Sequence, residues 1–314
     1  MNDLYQSLKN FGTVKLNVLL SKHTTFKIGG QADFFVIVEQ TEKLIELLKF
    51  LDGEGVPHFI LGGGSNMLVR DEGFQGVVIQ VKNKELQITN DGLVCDAGCT
   101  TVDVARQSIQ AGFTGFEWGV GVPGTIGGAV RGNAGAMGSD MSKNLFSVEV
   151  YKDGEVVTLT NAECQFGYRD SIFKHEPAVV LRVSLKLKKA DASVTTQGMK
   201  KALENLQYRN KTQPQGFATS GCIFKNFEIK NEQLNFDVPE EFLQKGIISA
   251  GWLIEKSGMK GAQVGQAKVS ETHGNFIVNL GGATSSDVFE LIEQIKTKVY
   301  DTFGLEIEPE VQII

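Results

Sequence analysis

Residues 220–226 read SGCIFKN and set a thiol, Cys222, between a turn-forming glycine and a short apolar pair that ends in Lys-Asn. Such a thiol has two uses. Free cysteine is among the most buried residue types, which favours core packing by roughly two to one. Used as an acid instead, a thiol of ordinary pKa ~8.5 is mostly protonated at pH 7 and releases its proton far more readily than a serine hydroxyl. Glycine is the second pattern with chemical content: 36 of 314 residues, roughly 11% against an average near 7%. Two clusters stand out, GGGSN (62–66) and VPGTIGGAVRGNAGAMG (122–138). Bare backbone N–H groups in such loops form anion-binding nests, and Ser65, Asn66, Thr125 and Asn133 add side-chain donors. A pair of clusters suits a diphosphate with a large group on each end, that is, a dinucleotide cofactor. Tight turns between short strands account for them equally well.

Two further glycine patterns lead nowhere. GVGVPG (119–124) satisfies G-x-G-x-x-G, but AGFTGFEW before it is no strand and Pro123 interrupts the turn, so a Rossmann site is rejected. GFATSGC (216–222) begins like a P-loop, yet Cys222-Ile223 stands where Lys and Ser/Thr are required, so no triphosphate chemistry is implied.

The elements that must position these residues emerge from periodicity. FFVIV (34–38), HFIL (58–61) and VVIQV (77–81) read as strands, and Thr41 to Leu51 as a helix with Leu44, Leu47, Leu48 and Leu51 on one face. A strand-rich middle comes next at 85–89, 93–96, 146–151, 156–160 and 178–187, with a helix from Val102 to Ala111. Another helix runs from about 196 through Leu206. The clearest opens at Thr284 with a T-x-x-D cap, carries Val288, Leu291, Ile292, Ile295 and Val299 at helical spacing, and stops at Gly304. The fold class is α+β, in three consecutive lobes: 1–80, 81–195 and 196–314.

Composition bounds the function. Apolar residues make up 41%, charged residues 22%, and the net charge is -6. With no dense Lys/Arg stripe, nucleic acid is not expected as a partner, and nothing suggests a protein partner. No apolar run approaches the ~20 residues of a membrane span and the first residues hold no apolar signal core, so a cytoplasmic protein is expected. Cys95, Cys99, Cys164 and Cys222 make no disulfide framework, and the scattered histidines offer no metal-ligand spacing. No metal is expected.

TTFKIGG (24–30), LGGGSNMLV (61–69), VPGTIGGAVRGNAGAMG (122–138), FGYRDSIF (166–173), GCIFKN (221–226), VSETHGNFIVN (269–279) and EPEV (308–311) occur in that order. In order and approximate spacing they resemble the MurB family, the UDP-N-acetylenolpyruvoylglucosamine reductases. Seven motifs in register over nearly the whole chain are highly specific. The resemblance implies a two-lobed FAD-binding domain of the vanillyl-alcohol-oxidase type with a C-terminal α+β substrate-binding domain. FAD is then held by Gly62, Gly63, Gly64, Ser65, Asn66, Pro123, Gly124, Thr125, Gly127, Gly128, Asn133 and Gly135. The chain is similar to the family's shorter type, because residue 188 runs almost directly into the 196–206 helix and leaves no room for a substrate-capping insertion.

The resemblance implies that hydride passes from NADPH through FAD to the enolpyruvyl ether of UDP-N-acetylglucosamine, and that an enolate-like state is then protonated. Arg169 matches the arginine for the substrate carboxylate, whose charge a planar guanidinium fits bidentately. Glu310 matches the catalytic glutamate. Glu306, Glu308 and Glu310 alternate and share a face if extended, and crowded like charges raise a carboxyl pKa; a solvated acidic edge is the plainer reading. Cys222 stands in place of the family's usual serine proton donor, which turns the opening choice toward catalysis. Asn226 matches a substrate-lobe asparagine, although Phe227 replaces the usual proline. Arg209 and Lys211 suit the UDP diphosphate or a solvated helix end, and His273 is either a pocket or a structural histidine. Two other functions compete: a different flavin oxidoreductase of the same superfold, such as an oxidase, and a nucleotide-binding paralogue without turnover.

Overall fold

The structure is a computed structural model that describes residues 2–230 and 234–314. The chain divides into two compact units, each built from non-adjacent segments. The first comprises Met1–Val18, Ala32–Gly63 and Phe74–Arg209; the second comprises Leu19–Gln31, Gly64–Gly73 and Asn210–Ile314.

The first unit carries two sheets. In one, the strands Thr13–Leu19, Gln31–Val38, Phe74–Val81 and His58–Leu61 lie in that order, and Phe74–Val81 runs parallel to both Gln31–Val38 and His58–Leu61. Parallel strands need a crossover, and the helix Thr41–Gly53 supplies it. Leu44, Leu47, Leu48 and Leu51 are all fully buried, as their spacing requires. The other sheet is antiparallel, in the order Glu155–Thr160, Leu145–Lys152, Ala178–Lys186, Gly92–Asp96, Leu86–Ile88. Two of its pairs are hairpins, Leu86–Ile88 with Gly92–Asp96 and Leu145–Lys152 with Glu155–Thr160, whereas Ala178–Lys186 joins strands distant in sequence; the five strand positions nevertheless match those expected to within a residue. The helix Thr101–Gln110 starts where Thr100 accepts a hydrogen bond from the Asp103 N–H, one residue before the expected start. The segment 111–118, read as no strand, does contain a two-residue strand, Phe113–Thr114, paired with Lys188–Lys189, but the glycines fall in and after a 3-10 helix, Glu117–Gly121, so no strand runs into a Rossmann turn there.

In the second unit the helix Ser285–Phe303 has the full capping box of Thr284 and Asp287, and Gly304 ends it with a left-handed φ of 69°. The division expected along the chain, at 80 and 195, differs from these units because segments 19–31 and 64–73 group with the C-terminal region. The destination of their apolar side chains explains this. Phe26, Ile28 and Leu68 are at most 1% exposed and share a core with Ile223, Phe224, Val288 and Ile295. Polar ties reinforce it. Asp71 accepts from the Ser285 N–H at 2.8 Å, and the Asn279 amide donates to the Phe26 carbonyl at 3.1 Å. The strand Gln312–Ile313 pairs in parallel with Met67–Leu68.

Among the described residues, no helix is long and apolar enough to cross a membrane, and no cluster of His, Cys, Asp and Glu could hold a metal ion.

Candidate active site

In the first unit the ends of the two glycine clusters touch each other. A Cβ on Gly62 would lie 2.4 Å from Thr125 Oγ1, and one on Gly63 would lie 2.7 Å from Gly124 Cα. Only glycine permits that approach. A third segment, 97–101, is stitched to the second cluster: Ile126 N–H donates to the Cys99 carbonyl at 2.8 Å and Gly127 N–H to the Ala97 carbonyl at 2.9 Å. Together these loops wall a cleft of about 290 Å³ lined by Gly62, Gly63, Gly98, Thr100, Gly124 and Thr125, with Lys82 and Lys84 on its rim and Val81 and Val102 beside them. A buried polar network holds its floor. Asn83 accepts from the Gly98 N–H at 3.0 Å and donates to Thr41, which donates in turn to Asp96; Arg182 pairs with Asp96 at 3.2 Å.

Of the remaining residues assigned to the cofactor in this unit, Gly127 packs against Ala97 and Gly135 against Ser139 and Asp140, where a Cβ would collide. Gly128 donates to Thr125 Oγ1 at the cap of the short helix Ile126–Arg131, and Pro123 precedes that turn. Asn133 differs from the expectation of a free side-chain donor. It is buried, its amide donates to the Gly167 carbonyl at 2.8 Å, and its oxygen accepts from the Ser142 N–H at 3.0 Å.

Asn133 thereby fixes the turn that carries Arg169. Residues 167–170 close on themselves through reciprocal backbone hydrogen bonds between Gly167 and Asp170, at 3.0 and 3.2 Å. Arg169 adopts φ 54°, a left-handed conformation that costs a side-chain-bearing residue about 1 kcal/mol or more. Its guanidinium Nη2 donates to the Gly135 carbonyl at 3.1 Å, which ties the arginine to the second glycine cluster.

In the second unit, Cys222 is half-buried, whereas Cys95, Cys99 and Cys164 are buried. The core-packing alternative therefore describes the other three better than it describes Cys222. The segment 222–225 is bridged on both sides: Cys222 opposite Phe276, Phe224 opposite Pro309. Glu310 N–H donates to the Ile223 carbonyl at 2.7 Å, and the Asn66 amide donates to the Glu310 carbonyl at 3.3 Å. Cys222, Glu310 and the end of the first glycine cluster are thus neighbours along one hydrogen-bonded path. Gly64 sits in that cluster with φ 62°, where a Cβ would strike the His23 carbonyl at 2.3 Å, and Ser65 is next in the chain. Glu308 is paired with Lys225 at 3.1 Å. The row of three glutamates is therefore not a simple like-charge cluster.

The other assigned residues have visible local duties. Asn226 accepts from the Ala250 N–H at 3.1 Å, at the start of the helix Ala250–Lys256. Arg209 lays its aliphatic stem against Gly121, where a Cβ would lie 2.5 Å from Arg209 Cδ, and Lys211 is exposed two residues on. His273 accepts from the Asn275 N–H at Nδ1 and packs edge-on against Phe276, and burial pushes its pKa below the ordinary histidine value. That leaves Nε2 as the ring's donor in the neutral form.

Two family models match the chain: an FAD binding domain over residues 32–160 and the C-terminal domain of UDP-N-acetylenolpyruvoylglucosamine reductase over 213–314. The relatives extend across its full length. The UDP-N-acetylenolpyruvoylglucosamine reductase of Anoxybacillus flavithermus is 38% identical over 97% of this chain and 95% of its own. That of Bacillus subtilis is 37% identical over 100% and 99%. The chain belongs to the UDP-N-acetylenolpyruvoylglucosamine reductase family. The crystal structure of the Thermus caldophilus reductase superposes with a TM-score of 0.76 at 34% identity, covering 96% of this chain and 99% of that one.

For a member of this reductase family the cleft in the first unit fits its cofactor. Close-packed glycines of both clusters line it without side chains in the way, and Lys82 and Lys84 bring the positive charge that a diphosphate needs, while the Gly98 N–H and the Thr100 and Thr125 hydroxyls are engaged with Asn83, Asp103 and the Gly128 N–H. Lys82, Lys84, Gly98 and Thr100 escaped the sequence reading. The signal was there in DAGCTT (96–101), a glycine turn between a strand and a Thr-capped helix, but a single glycine in a turn is too common to single out.

Proposed function

We infer that the protein is an FAD-dependent, NADPH-using oxidoreductase that reduces UDP-N-acetylglucosamine enolpyruvate to UDP-N-acetylmuramate, a step of peptidoglycan precursor synthesis. The observation that carries this reading is the 38% identity to a reductase of that activity over 97% of the chain. A nucleotide-sugar substrate is in keeping with a reaction in the cytoplasm. The reading takes residues 1–80 and 81–195 as the two FAD-binding lobes and 196–314 as the substrate-binding domain, to which segments 19–31 and 64–73 contribute core.

FAD, when bound, would supply the two-electron hydride chemistry that links NADPH to the enolpyruvyl group. The chain's own residues manage the resulting charge and the final proton. Negative charge develops on the enolpyruvyl carbon that bears the carboxylate and on the carboxylate itself, and the Arg169 guanidinium, on a turn held from several directions, binds that carboxylate and steadies the growing charge. Cys222 gives the proton that completes the product, and Glu310 serves the same enolate as a carboxylic donor. The Glu310 N–H donates to the carbonyl of Ile223, the residue after Cys222, and this supports that pairing. Gly62, Gly63, Gly124 and Thr125 with Lys82 and Lys84 take the cofactor's phosphates, and the resemblance adds Gly64, Ser65 and Asn66, next in the chain, to the cofactor's contacts. Arg209 and Lys211 answer the charge of the UDP diphosphate, Asn226 shapes the loop beside Cys222, and His273 offers at most its Nε2 N–H.

The purified protein, mixed with NADPH and UDP-N-acetylglucosamine enolpyruvate, is expected to consume the two in equal amounts and yield a product two hydrogens heavier. NADPH consumption that proceeds unchanged without the sugar, with oxygen consumed instead, would favour an oxidase. Tight binding of the sugar with no turnover would favour a paralogue that only binds nucleotide.

A further inference from the structure

The turn that carries Arg169 is fixed by side chains to which neither the family relationship nor the reaction chemistry assigns a part. Asp170 accepts from the Ser171 N–H at 3.0 Å, and both its oxygens lie 2.9 Å from His175 Nε2. Lys174 donates its ammonium to the Arg169 carbonyl. Ser171 donates its hydroxyl to the Arg131 carbonyl at 2.6 Å, and the Arg131 guanidinium interacts with the Asp170 charge. Three cations, Arg131, Lys174 and His175 when protonated, thus surround one carboxylate. Burial works to raise the Asp170 pKa, but the hydrogen bonds from His175 and Ser171 outweigh it, so the carboxyl stays ionised.

Two physical needs meet here. A left-handed φ at a residue other than glycine persists only where the surroundings over-determine it. A side chain as long as arginine also carries any rotation at its Cα out to the guanidinium. In addition, a carboxylate next in sequence to a substrate-binding guanidinium competes for it unless its own charge is answered. The Asp170 contacts meet both needs.

We propose that Asp170 is a positioning residue for Arg169: tied to Ser171 and His175, it holds the 167–170 turn in its left-handed form and keeps its own charge from competing for the Arg169 guanidinium. The proposal rests on the reading of Arg169 as the carboxylate-binding residue, and the test separates the two. A double-mutant cycle compares Asp170→Asn, Arg169→Ala and the double variant as flavin-loaded enzymes, reading kcat/KM for the enolpyruvyl substrate, flavin content and Tm. Asp170→Asn is expected to lower kcat/KM about tenfold to a hundredfold, the scale of a guanidinium displaced by about 1 Å. Flavin content and NADPH-driven flavin reduction should stay at wild-type levels. In the Arg169→Ala background the same change should cost almost nothing more, because the residue it positions is gone. An equal cost in both backgrounds would make Asp170 a general structural residue and overturn the proposal. A harmless Arg169→Ala would instead overturn the reading of Arg169. If Asp170→Asn loses its flavin, His175→Gln, altered at an exposed ring, runs the same cycle with the same criterion.

Discussion

Arg169 and Cys222 both show what a residue must have beyond the right chemistry. A guanidinium is always charged, so the question at Arg169 is geometry, and the structure supplies a strained φ of 54° and a hydrogen bond to the Gly135 carbonyl. Lysine keeps the charge and loses the planar fork. Arg169→Lys is therefore expected to lower kcat/KM for the enolpyruvyl substrate by about two to three orders of magnitude, the scale of one lost transition-state donor, while flavin reduction by NADPH is unaffected. A loss in both half-reactions would mean that Arg169 supports the fold or the cofactor instead. At this scale the sequence was informative about identity and silent about conformation. Nothing in YRDSIF announces a left-handed arginine, since that φ depends on the closed 167–170 turn, on the Lys174 and Asp170 contacts beside it and on the distant Asn133, none of which the motif spells out. Asn133 misleads for a similar reason: an amide in a glycine-rich loop looks free until its partners at 167 and 142 are known.

Elements whose signals are local were legible. The helix Ser285–Phe303 is written out by its cap at Thr284, its 3.6-residue apolar spacing and its glycine stop. The helix Ala250–Lys256 was not foreseen, because at seven residues it has too few turns to show a period. Its environment yields a prediction about pH. Gly251 lets the His273 ring approach, since a Cβ there would lie 3.0 Å from Cε1. Burial depresses the His273 pKa and Lys260 depresses it further, against the opposing effects of a hydrogen bond to its own backbone and of the Glu255 charge. With the folded pKa below the unfolded value of ~6.5, the unfolded chain binds more protons in the interval between them. The stability His273 contributes is thus fully present above about pH 6.5 and is lost as the pH falls toward the folded value. The urea midpoint should drop between about pH 7 and pH 5.5, and that drop should shrink in His273→Gln. An undiminished drop in the variant would place the titrating group elsewhere.

At the scale of the whole molecule the chain is interleaved, and that is the part periodicity could not reach. Residues 19–31 and 64–73 leave the first unit's sequence to complete the second unit's core with Phe26, Ile28 and Leu68, and Asp71 accepts from the first N–H groups of the helix Ser285–Phe303. Each large apolar side chain buried this way contributes about 1.5–3 kcal/mol, against a total stability of about 5–15 kcal/mol for a domain. A chain of residues 210–314 alone is therefore expected not to fold cooperatively; a flat urea titration by circular dichroism would bear this out, and a sharp two-state transition would contradict it. The central claim is that this interleaved chain carries out the reduction and that Cys222 provides the proton. One measurement tests it most directly: reduce the bound flavin without oxygen, add UDP-N-acetylglucosamine enolpyruvate, and track flavin reoxidation and saturated product together in wild type and Cys222→Ala. The account predicts that wild type completes both at the same rate, while the variant reoxidises its flavin and forms product slowly. Equal product formation in the two would show that another group gives the proton, and a wild-type flavin that stays reduced would contradict the reductase assignment itself.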